Sequence, residues 1–370
     1  MSRPDASLLR HRDALEVHWP SGTVSHLYFL WLRDNCSCEE CRVIQTSEKR
    51  FLISDVPADI APLAVSLDGD RLVLVWPDGH ETVYTRTDIE ALHAADTGDW
   101  TPWDRDFVPA RYPFQAFLDD DSLAAAAITE FLDRGAILLR QAPTRPGTLE
   151  LLAPRLGPIR EVLFARIHDV QVDPGGYNVA HTSNTLPPHN DFASYSWPPS
   201  VQALHMLVNE AAGGESVIVD GWNVLGTLRE RHPDHFRALC EMPVPFREFD
   251  DDNETYAVAP LVRCDGDGNI VALRFSNQLM QTLDPGAPGI GEFYRAYHAL
   301  CGLLTADKFK ASFRLDGGDI LIVAAHRVLH GREAFEAAGA RHLQDAYFEL
   351  DNVRNHLVVL QRKGGRIAND

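Results

Sequence analysis

The chain has 370 residues, 45% of them hydrophobic and 24% charged, a composition typical of a globular protein with one or two domains. Its formal net charge of −19 at pH 7 argues against nucleic acid or an anionic membrane surface as a partner. The apolar runs are too short for a transmembrane helix, and the N-terminus lacks the apolar core of a secretory signal. These features predict a cytoplasmic protein.

The N-terminal part of the chain combines short β-hairpins with a tight cysteine cluster. Apolar residues alternate over 14–30 and 65–84, with glycine-containing turns between the strands. Three of the six cysteines lie close together, and a histidine occupies a later hairpin turn. Such a set fits a closed structural zinc site that leaves no position open for catalysis. The predicted ligands are Cys36, Cys38, Cys41 and His80. The alternative is that the cysteines are only neighbours in the chain and the histidine is a loop residue.

A polar, Pro- and Trp-rich stretch separates this part from the rest of the chain. We place a zinc-binding β domain at 1–100, a linker at 101–118 and a larger domain at 119–370. The larger domain begins with a predicted helix for which Ser122 is a candidate N-cap. Short strands with turn signals then recur without alternating βα units, which predicts a double-sheet jelly roll. The expected fold class is mainly β with flanking helices.

A histidine and an aspartate follow two prolines in the middle of this domain. Positions i and i+2 of an extended strand face the same side, so His189 and Asp191 can bind one metal ion together. Two later histidines, His326 and His330, lie about 13 Å apart if the chain is extended, so one ion can use only one of them. We favour His330, because it stands at the strand end beside Gly331. Two imidazoles and a carboxylate leave three metal positions open, as in non-haem Fe(II) oxygenases.

Arg341 begins the next predicted strand. A guanidinium group binds a carboxylate through two parallel hydrogen bonds, so it can anchor the far end of a cosubstrate that chelates iron. Taken alone, an arginine in this position is more often part of a surface salt bridge. A His-x-Asp pair is likewise a weak motif in a chain with 16 histidines.

Motifs along nearly the whole chain resemble those of γ-butyrobetaine and trimethyllysine dioxygenases. In the N-terminal part they are the stretch from Trp31 to Cys41 and Asp78-Gly79-His80. In the larger domain, which resembles a TauD-type catalytic domain, they are 178–182, His189-x-Asp191, 198–205, 213–216, 219–221 and 330–332. The resemblance implies a double-stranded β-helix that uses Fe(II), 2-oxoglutarate and O₂ to hydroxylate an unactivated C–H bond of a small molecule. It also implies a homodimer, since relatives are commonly dimers.

The resemblance assigns roles to individual residues. His189, Asp191 and His330 match the iron ligands. Arg341 matches the arginine that binds the distal carboxylate of 2-oxoglutarate, and Leu204 matches a residue that contacts this cosubstrate. The matches to the structural zinc ligands are Cys36, Cys38, Cys41 and His80.

The chain departs from these relatives where the substrate should bind. In γ-butyrobetaine enzymes an aromatic cage holds the trimethylammonium group by cation–π attraction. The cage positions fall on Phe164, His168, His181 and Phe192. Because two of them are histidine, we expect a small polar substrate other than γ-butyrobetaine. With Arg166 nearby, the histidines suit an anionic or hydrogen-bonding compound. Asn178 and Asn277 match further substrate-pocket positions.

Three alternatives stay open at this point. The substrate is γ-butyrobetaine or a related trimethylammonium compound despite the changed cage. The protein is a metal-dependent hydrolase or isomerase that uses the same three ligands with zinc or manganese, which would need no Arg341. Or it is a non-catalytic metabolite sensor.

Overall fold

The computed structural model describes residues 7–93, 100–163, 165–171, 182–336 and 339–367. The chain divides into two compact units, Met1–Thr97 and Gly98–Asp370.

The first unit is built from two antiparallel sheets. Its elements are β1 (Ser7–Arg10), β2 (Ala14–His18), β3 (Val24–Tyr28), α1 (Phe29–Asp34), a 3₁₀ turn (Ile53–Asp55), β4 (Ala64–Asp68), β5 (Arg71–Val75), β6 (Glu81–Thr85) and α2 (Arg86–His93). The strand orders are β1-β2-β3 and β4-β5-β6. Large aromatic side chains, including Trp19, Trp76 and Tyr84, fill a core that both sheets share. The alternating pattern of the sequence therefore reflects strands with one buried face.

The second unit contains the remaining strands and most of the helices. Its elements are β7 (Ala110–Pro113), α3 (Phe114–Asp119), α4 (Asp121–Arg134), β8 (Ala136–Arg140), a 3₁₀ turn (Thr148–Leu152), α5 (Ala153–Leu156), β9 (His168–Gln171), β10 (Leu186–His189), β11 (Val201–Asn209), β12 (Ser216–Asp220), α6 (Gly221–Arg231), α7 (Pro233–Glu241), β13 (Val244–Phe249), β14 (Glu254–Ala259), β15 (Val262–Cys264), β16 (Ile270–Leu273), α8 (Ile290–Leu304), β17 (Lys310–Phe313), β18 (Ile320–Ala324), β19 (Val328–Arg332), β20 (Arg341–Phe348) and α9 (Leu350–Ile367).

Two sheets of this unit enclose an apolar interior. The larger has the order β7-β8-β18-β11-β20-β9 and the smaller the order β10-β19-β12-β17. Leu204 and Met206 of the larger sheet share one core cluster with Ile218 and Val328 of the smaller sheet. Alternate residues of β11 instead pack with the helices on the outer face. This is a double-stranded β-helix, and the predicted fold class is confirmed.

The segment predicted as a linker, 101–118, is instead part of the second unit. Trp103 is only 5% exposed, and its indole donates a hydrogen bond to the carbonyl of Arg134 (2.7 Å). Strand β7 pairs in parallel with β8. The Pro/Trp-rich composition therefore reflects a segment that packs into the core, where tryptophan buries a large apolar surface.

Helices cover the outer faces of the larger sheet, and α4 shows how they begin. Its N-cap is Asp120 and not the predicted Ser122. The Asp120 carboxylate accepts hydrogen bonds from the backbone N–H groups of Ser122 (2.8 Å) and Leu123 (3.1 Å). Aspartate caps as well as serine does, so composition alone left the start ambiguous by two residues. In the part of the chain that the structure describes, no helix combines the length and the apolar character that crossing a membrane requires.

Candidate metal centres and active site

Two neighbouring strands of the smaller sheet bring two histidines side by side. His189 ends β10 and pairs directly with His330 of β19. The close approach depends on Gly331, because a Cβ atom there would lie 2.6 Å from the carbonyl oxygen of Leu186. The glycine in His330-Gly331-Arg332 thus allows β10 to lie against β19.

Asp191 completes a compact set of three possible ligands. Its Oδ1 lies 3.2 Å from His189 Nε2, and its Oδ2 lies 3.7 Å from His330 Nε2. The ligand atoms of the three residues all lie within 4.8 Å of one another. His189 Nδ1 is 2.9 Å from the carbonyl of Pro187, so a proton on Nδ1 leaves the Nε2 lone pair free for a metal. One carboxylate and two imidazoles at this spacing fit a single divalent iron ion.

The protonation states of Asp191 and His330 suit a metal site, whereas the pairing with Asp191 outweighs burial and raises the pKa of His189, so a metal bound there must displace that proton. Burial alone would raise the pKa of Asp191, but the neighbouring His330 and His189 hold that pKa well below its usual range. Burial lowers the pKa of His330 to about 4. At neutral pH the site therefore offers an ionised carboxylate and a neutral imidazole, the forms that bind a cation.

Two residues that the sequence did not suggest fix the Asp191 carboxylate. Gln202 Nε2 and the Tyr347 hydroxyl both donate to Asp191 Oδ2, at 2.7 Å and 2.6 Å. Gln202 and Tyr347 face each other across β11 and β20. The sequence does contain a signal for Tyr347. It lies an even number of residues, six, after Arg341, so both side chains face the same side of β20. Hydrogen bonds of this kind orient metal ligands.

Phe192 lies directly after Asp191 in a backbone conformation that phenylalanine rarely adopts. Its φ is +51°, and its side chain is 6% exposed. The ring packs edge-on against Tyr347 (5.0 Å between centroids) and against Tyr195 (5.1 Å). A bulky side chain with positive φ costs free energy, and such strain tends to occur at functional sites.

The second histidine considered from the sequence lies elsewhere. His326 Nε2 is 3.0 Å from the carbonyl of Pro198, and its ring packs against Trp197. The structure therefore brings His330, and not His326, to His189 and Asp191.

Arg341 and Leu204 lie on neighbouring strands of the larger sheet. Leu204 is 8% exposed in the interior of the double-stranded β-helix and pairs with Asp345 across the strands. The guanidinium of Arg341 lies 5.2 Å from the ring centre of Phe335, and that of Arg332 lies 4.7 Å from the same ring. The two cations are therefore close to each other.

Arg341 is a cation without a carboxylate partner in the described part of the chain. Its Nε is buried and makes no hydrogen bond there. Burial and the charge of Arg314 lower the pKa of Arg341. A pocket of 270 Å³ opens beside it, lined also by Phe335 and His342. A desolvated guanidinium facing a cavity fits the carboxylate of a bound organic acid such as 2-oxoglutarate.

The predicted substrate residues divide into three groups. Phe164, Asn178 and His181 lie outside the described residues. His168 and Phe192 lie together beside Asp191, with 6.0 Å between their ring centres. Asn277 is exposed, and its Oδ1 accepts a hydrogen bond from Tyr297 (2.8 Å).

The charges around His168 differ from those expected for an anionic substrate. His168 Nδ1 lies 2.8 Å from Asp345 Oδ1, and this pairing outweighs burial and raises the pKa of His168. Arg166 does not serve the pocket, because Glu150 and Glu161 both pair with its guanidinium. Among the described residues, the suggested positive charges of His168 and Arg166 are therefore already neutralised by carboxylates.

The first unit contains the second candidate metal centre. His80 Nε2 lies 3.1 Å from the Cys36 sulfur and 3.5 Å from both the Cys38 and Cys41 sulfurs. Burial raises the pKa of the Cys41 thiol to about 12, so a bound metal must displace its proton. Arg33 donates to Cys41 (3.2 Å) and places a positive charge beside the thiolates. Three sulfurs and one nitrogen at this spacing fit tetrahedral zinc.

Two family models match the two parts of the chain, and one solved structure resembles its larger part. Residues 97–347 match the model of the taurine catabolism dioxygenase TauD, TfdA family, and residues 7–87 match that of the γ-butyrobetaine hydroxylase-like N-terminal domain. A solved asparagine oxygenase, in complex with Fe(II), (2S,3S)-3-hydroxyasparagine and succinate, has a TM-score of 0.49 and 19% identity, with 62% of this chain and 79% of that chain covered.

Two relatives match along almost the whole chain. A γ-butyrobetaine dioxygenase from Pseudomonas sp. (strain AK-1) is 34% identical, with 97% of both chains covered. A mitochondrial trimethyllysine dioxygenase from Gallus gallus is 27% identical, with 93% of this chain and 85% of the relative covered. The chain is therefore a 2-oxoglutarate-dependent non-haem iron dioxygenase of the TauD/TfdA family, and it belongs with the γ-butyrobetaine and trimethyllysine dioxygenase-like members of that family.

Proposed function

We propose that His189, Asp191 and His330 bind the catalytic iron and that Arg341 binds the distal carboxylate of 2-oxoglutarate, with Leu204 beside it. The observation that carries this proposal is the convergence of the three ligand atoms in an interior that also presents an unpaired arginine among the described residues. Iron bound there, with 2-oxoglutarate and O₂, supplies the oxidising power for attack on an unactivated C–H bond.

The chain's own side chains position these reactants. Gln202 and Tyr347 hold the Asp191 carboxylate through Oδ2, and its other oxygen, Oδ1, lies 3.2 Å from His189 Nε2. The rings of Phe192 and Tyr347 pack against each other beside Asp191 and help to exclude water on that side of the proposed iron site.

We propose a small polar metabolite other than γ-butyrobetaine as the substrate. The support is His168, which pairs with Asp345 and so does not present an uncharged aromatic face to a quaternary cation. γ-Butyrobetaine remains the second candidate, because a γ-butyrobetaine dioxygenase is 34% identical over nearly the full chain.

The first unit has a structural task in this proposal. Cys36, Cys38, Cys41 and His80 would bind zinc and hold the N-terminal β domain, 1–100, together. The homodimer and the cytoplasmic location stay predictions, and light scattering on the purified protein tests the first.

Succinate formation tests the catalytic assignment. Purified protein with Fe(II), ascorbate and 2-oxoglutarate should release succinate, and more in the presence of a true substrate. His189→Ala should abolish this release, whereas His298→Ala, an exposed position on α8, should retain it. Full turnover by His189→Ala would show that the iron assignment is wrong. γ-Butyrobetaine tested beside other polar metabolites decides between the two substrate candidates.

A further inference from the structure

Two carboxylates stand beside the proposed iron ligands without binding iron. Asp345 on β20 is 6% exposed, and it accepts from His168 (2.8 Å) and, more weakly, from Gln202 and Tyr347 (3.3 Å each). Glu248 on β13 is half-buried and lies close enough to Asp191 and His168 for their charges to affect its ionisation. The surroundings of the proposed metal site are therefore acidic.

Glu248 has no cationic partner among the residues that the structure describes. Its one hydrogen bond there is a long one from the Ser194 hydroxyl (3.4 Å). Burial and the charge of Asp191 raise its pKa to about 7. A half-buried carboxylate with so little compensation, next to a proposed metal site, is a candidate for ligand binding.

A second acceptor in the same network also lacks a donor. Gln202 is 1% exposed, and its Nε2 donates to Asp191 and Asp345. Its Oε1 is buried, and no donor for it exists within the described ranges. Buried acceptors normally find a donor, and leaving one without a donor is unfavourable. A ligand with N–H groups would satisfy such an acceptor.

The charges around the proposed metal site favour a cation. His168 and Asp345 neutralise each other as an ion pair, and Asp191 faces the proposed iron. Glu248, in its ionised form, then remains as the carboxylate without a compensating cation. The rings of Phe192, Tyr195 and Tyr347 supply an apolar wall for the carbon chain of a ligand.

The type of cation follows from hydrogen-bonding capacity. A trimethylammonium group has no N–H and cannot donate to Glu248 or to Gln202 Oε1. A protonated primary or secondary amine carries two or three N–H donors and a positive charge, so it has enough donors for both acceptors.

We propose that this dioxygenase recognises its substrate through a protonated primary or secondary amine that donates its N–H groups to Glu248 and to the acceptors around Gln202 and Asp345. This inference rests on the proposed function, because it places the substrate beside His189, Asp191 and His330. The C–H bond to be hydroxylated then belongs to the carbon chain that carries the ammonium group.

Matched amine probes test the proposal by calorimetry. The protein is loaded with Fe(II) and 2-oxoglutarate without O₂ and titrated with 4-aminobutyrate against γ-butyrobetaine, L-lysine against Nε-trimethyllysine, and methylammonium against tetramethylammonium. The expected result is tighter binding of the N–H member of at least one pair, by about 10-fold or more. Equal or tighter binding of the trimethylated members, or no binding of any amine, overturns the proposal.

Two variants separate the pocket from the rest of the protein. Glu248→Gln keeps the shape but removes the charge, so it should weaken the preferred amine by about 10- to 100-fold and leave 2-oxoglutarate binding unchanged. Glu254→Gln removes the same charge from the neighbouring strand, where Glu254 is 55% exposed and pairs with Arg247, and should leave amine binding unchanged. Unchanged amine affinity in Glu248→Gln would overturn the proposed amine site and leave the proposed iron and 2-oxoglutarate sites untouched. Failure of the wild-type protein to bind 2-oxoglutarate in the presence of Fe(II) would instead overturn the proposed function.

Discussion

Replacing Arg341 by methionine should separate cosubstrate binding from folding. Methionine keeps a long apolar side chain beside Phe335 but removes the charge and all the N–H donors. If Arg341 binds the distal carboxylate of 2-oxoglutarate through two charged hydrogen bonds, each worth about 1.5–3 kcal/mol, the loss is about 3–6 kcal/mol. The dissociation constant of 2-oxoglutarate should therefore rise by at least about 100-fold.

The same change should not destabilise the protein when 2-oxoglutarate is absent. Arg341 has an unsatisfied buried Nε among the described residues, and the nearby Arg314 opposes its charge. Methionine removes both unfavourable contributions. We expect the free energy of unfolding to stay equal or to rise by about 1–3 kcal/mol.

Arg314→Met is a matched control for this experiment. Arg314 donates hydrogen bonds to the backbone carbonyls of Asn209 (2.7 Å), Ala211 (3.0 Å) and Gly213 (3.1 Å). Its loss should lower stability while changing 2-oxoglutarate affinity much less. Calorimetry without O₂ measures the affinity, and urea unfolding measures the stability. Unchanged 2-oxoglutarate affinity in Arg341→Met, or a stability loss above about 2 kcal/mol, would show that Arg341 is a structural residue.

Three further predictions concern the glycine, zinc and glutamate positions. Gly331→Ala should move β10 away from β19, because the added Cβ would lie 2.6 Å from the Leu186 carbonyl oxygen. The variant should therefore bind Fe(II) more weakly in a titration, and unchanged affinity would contradict this. Cys36→Ser should lower the zinc content, and both this variant and treatment with a chelator should lower the thermal stability of the first unit, measured by calorimetry. The control variant Cys301→Ser should leave zinc content and stability unchanged. Since the pKa of Glu248 is raised from 4.5 to about 7, folded protein holds this proton more tightly than unfolded protein. The free energy of unfolding should therefore fall as the pH rises from about 4.5 to about 7. Glu248→Gln should remove about 3 kcal/mol of that decrease, measured by urea unfolding at a series of pH values. The same dependence of stability on pH in both proteins would refute the prediction.

The sequence predicted the parts of the site that depend on local spacing. His189 and Asp191 lie two residues apart in an extended segment, and a buried strand leads to His330, so their common face follows from strand geometry. The choice between His326 and His330 rested on the neighbouring glycine, and the structure explains that signal through the close approach of β10 to Gly331.

The parts that the sequence did not predict depend on contacts between distant strands. Gln202 and Tyr347 reach Asp191 from other strands, 11 and 156 residues further along the chain. Glu248 comes from a hairpin that the strand pattern alone did not connect with the metal site. Strand parity places Tyr347 on the same face of its strand as Arg341, but it does not show that Tyr347 reaches Asp191, because a tyrosine or a glutamine in a buried strand often makes some other hydrogen bond.

The linker prediction was wrong for a related reason. Polar residues and prolines at 101–118 are typical of an exposed connection, but buried polar groups of the second unit use this segment as a partner. Arg327, 3% exposed, pairs with Asp220 (2.8 Å) and also donates to the carbonyl of Thr101 (2.7 Å). A buried arginine needs several acceptors, and backbone carbonyls of an irregular segment supply them.

Three polar groups in the second unit are less fully hydrogen-bonded than the buried Arg327. The buried Arg327 has carboxylate and carbonyl partners on every side, and removing it would leave Asp220 as an unpaired buried charge. By contrast, Arg341 Nε, Gln202 Oε1 and the Glu248 carboxylate lack full partners among the described residues. All three belong to the unit that contains the proposed iron ligands, and each has the charge or hydrogen-bonding character that complements one proposed ligand group. Arg341 complements a carboxylate, whereas Glu248 and Gln202 complement an ammonium group. Binding of both ligands should therefore stabilise the second unit by more than their contact area alone would suggest, since it removes unfavourable terms that the fold carries without them.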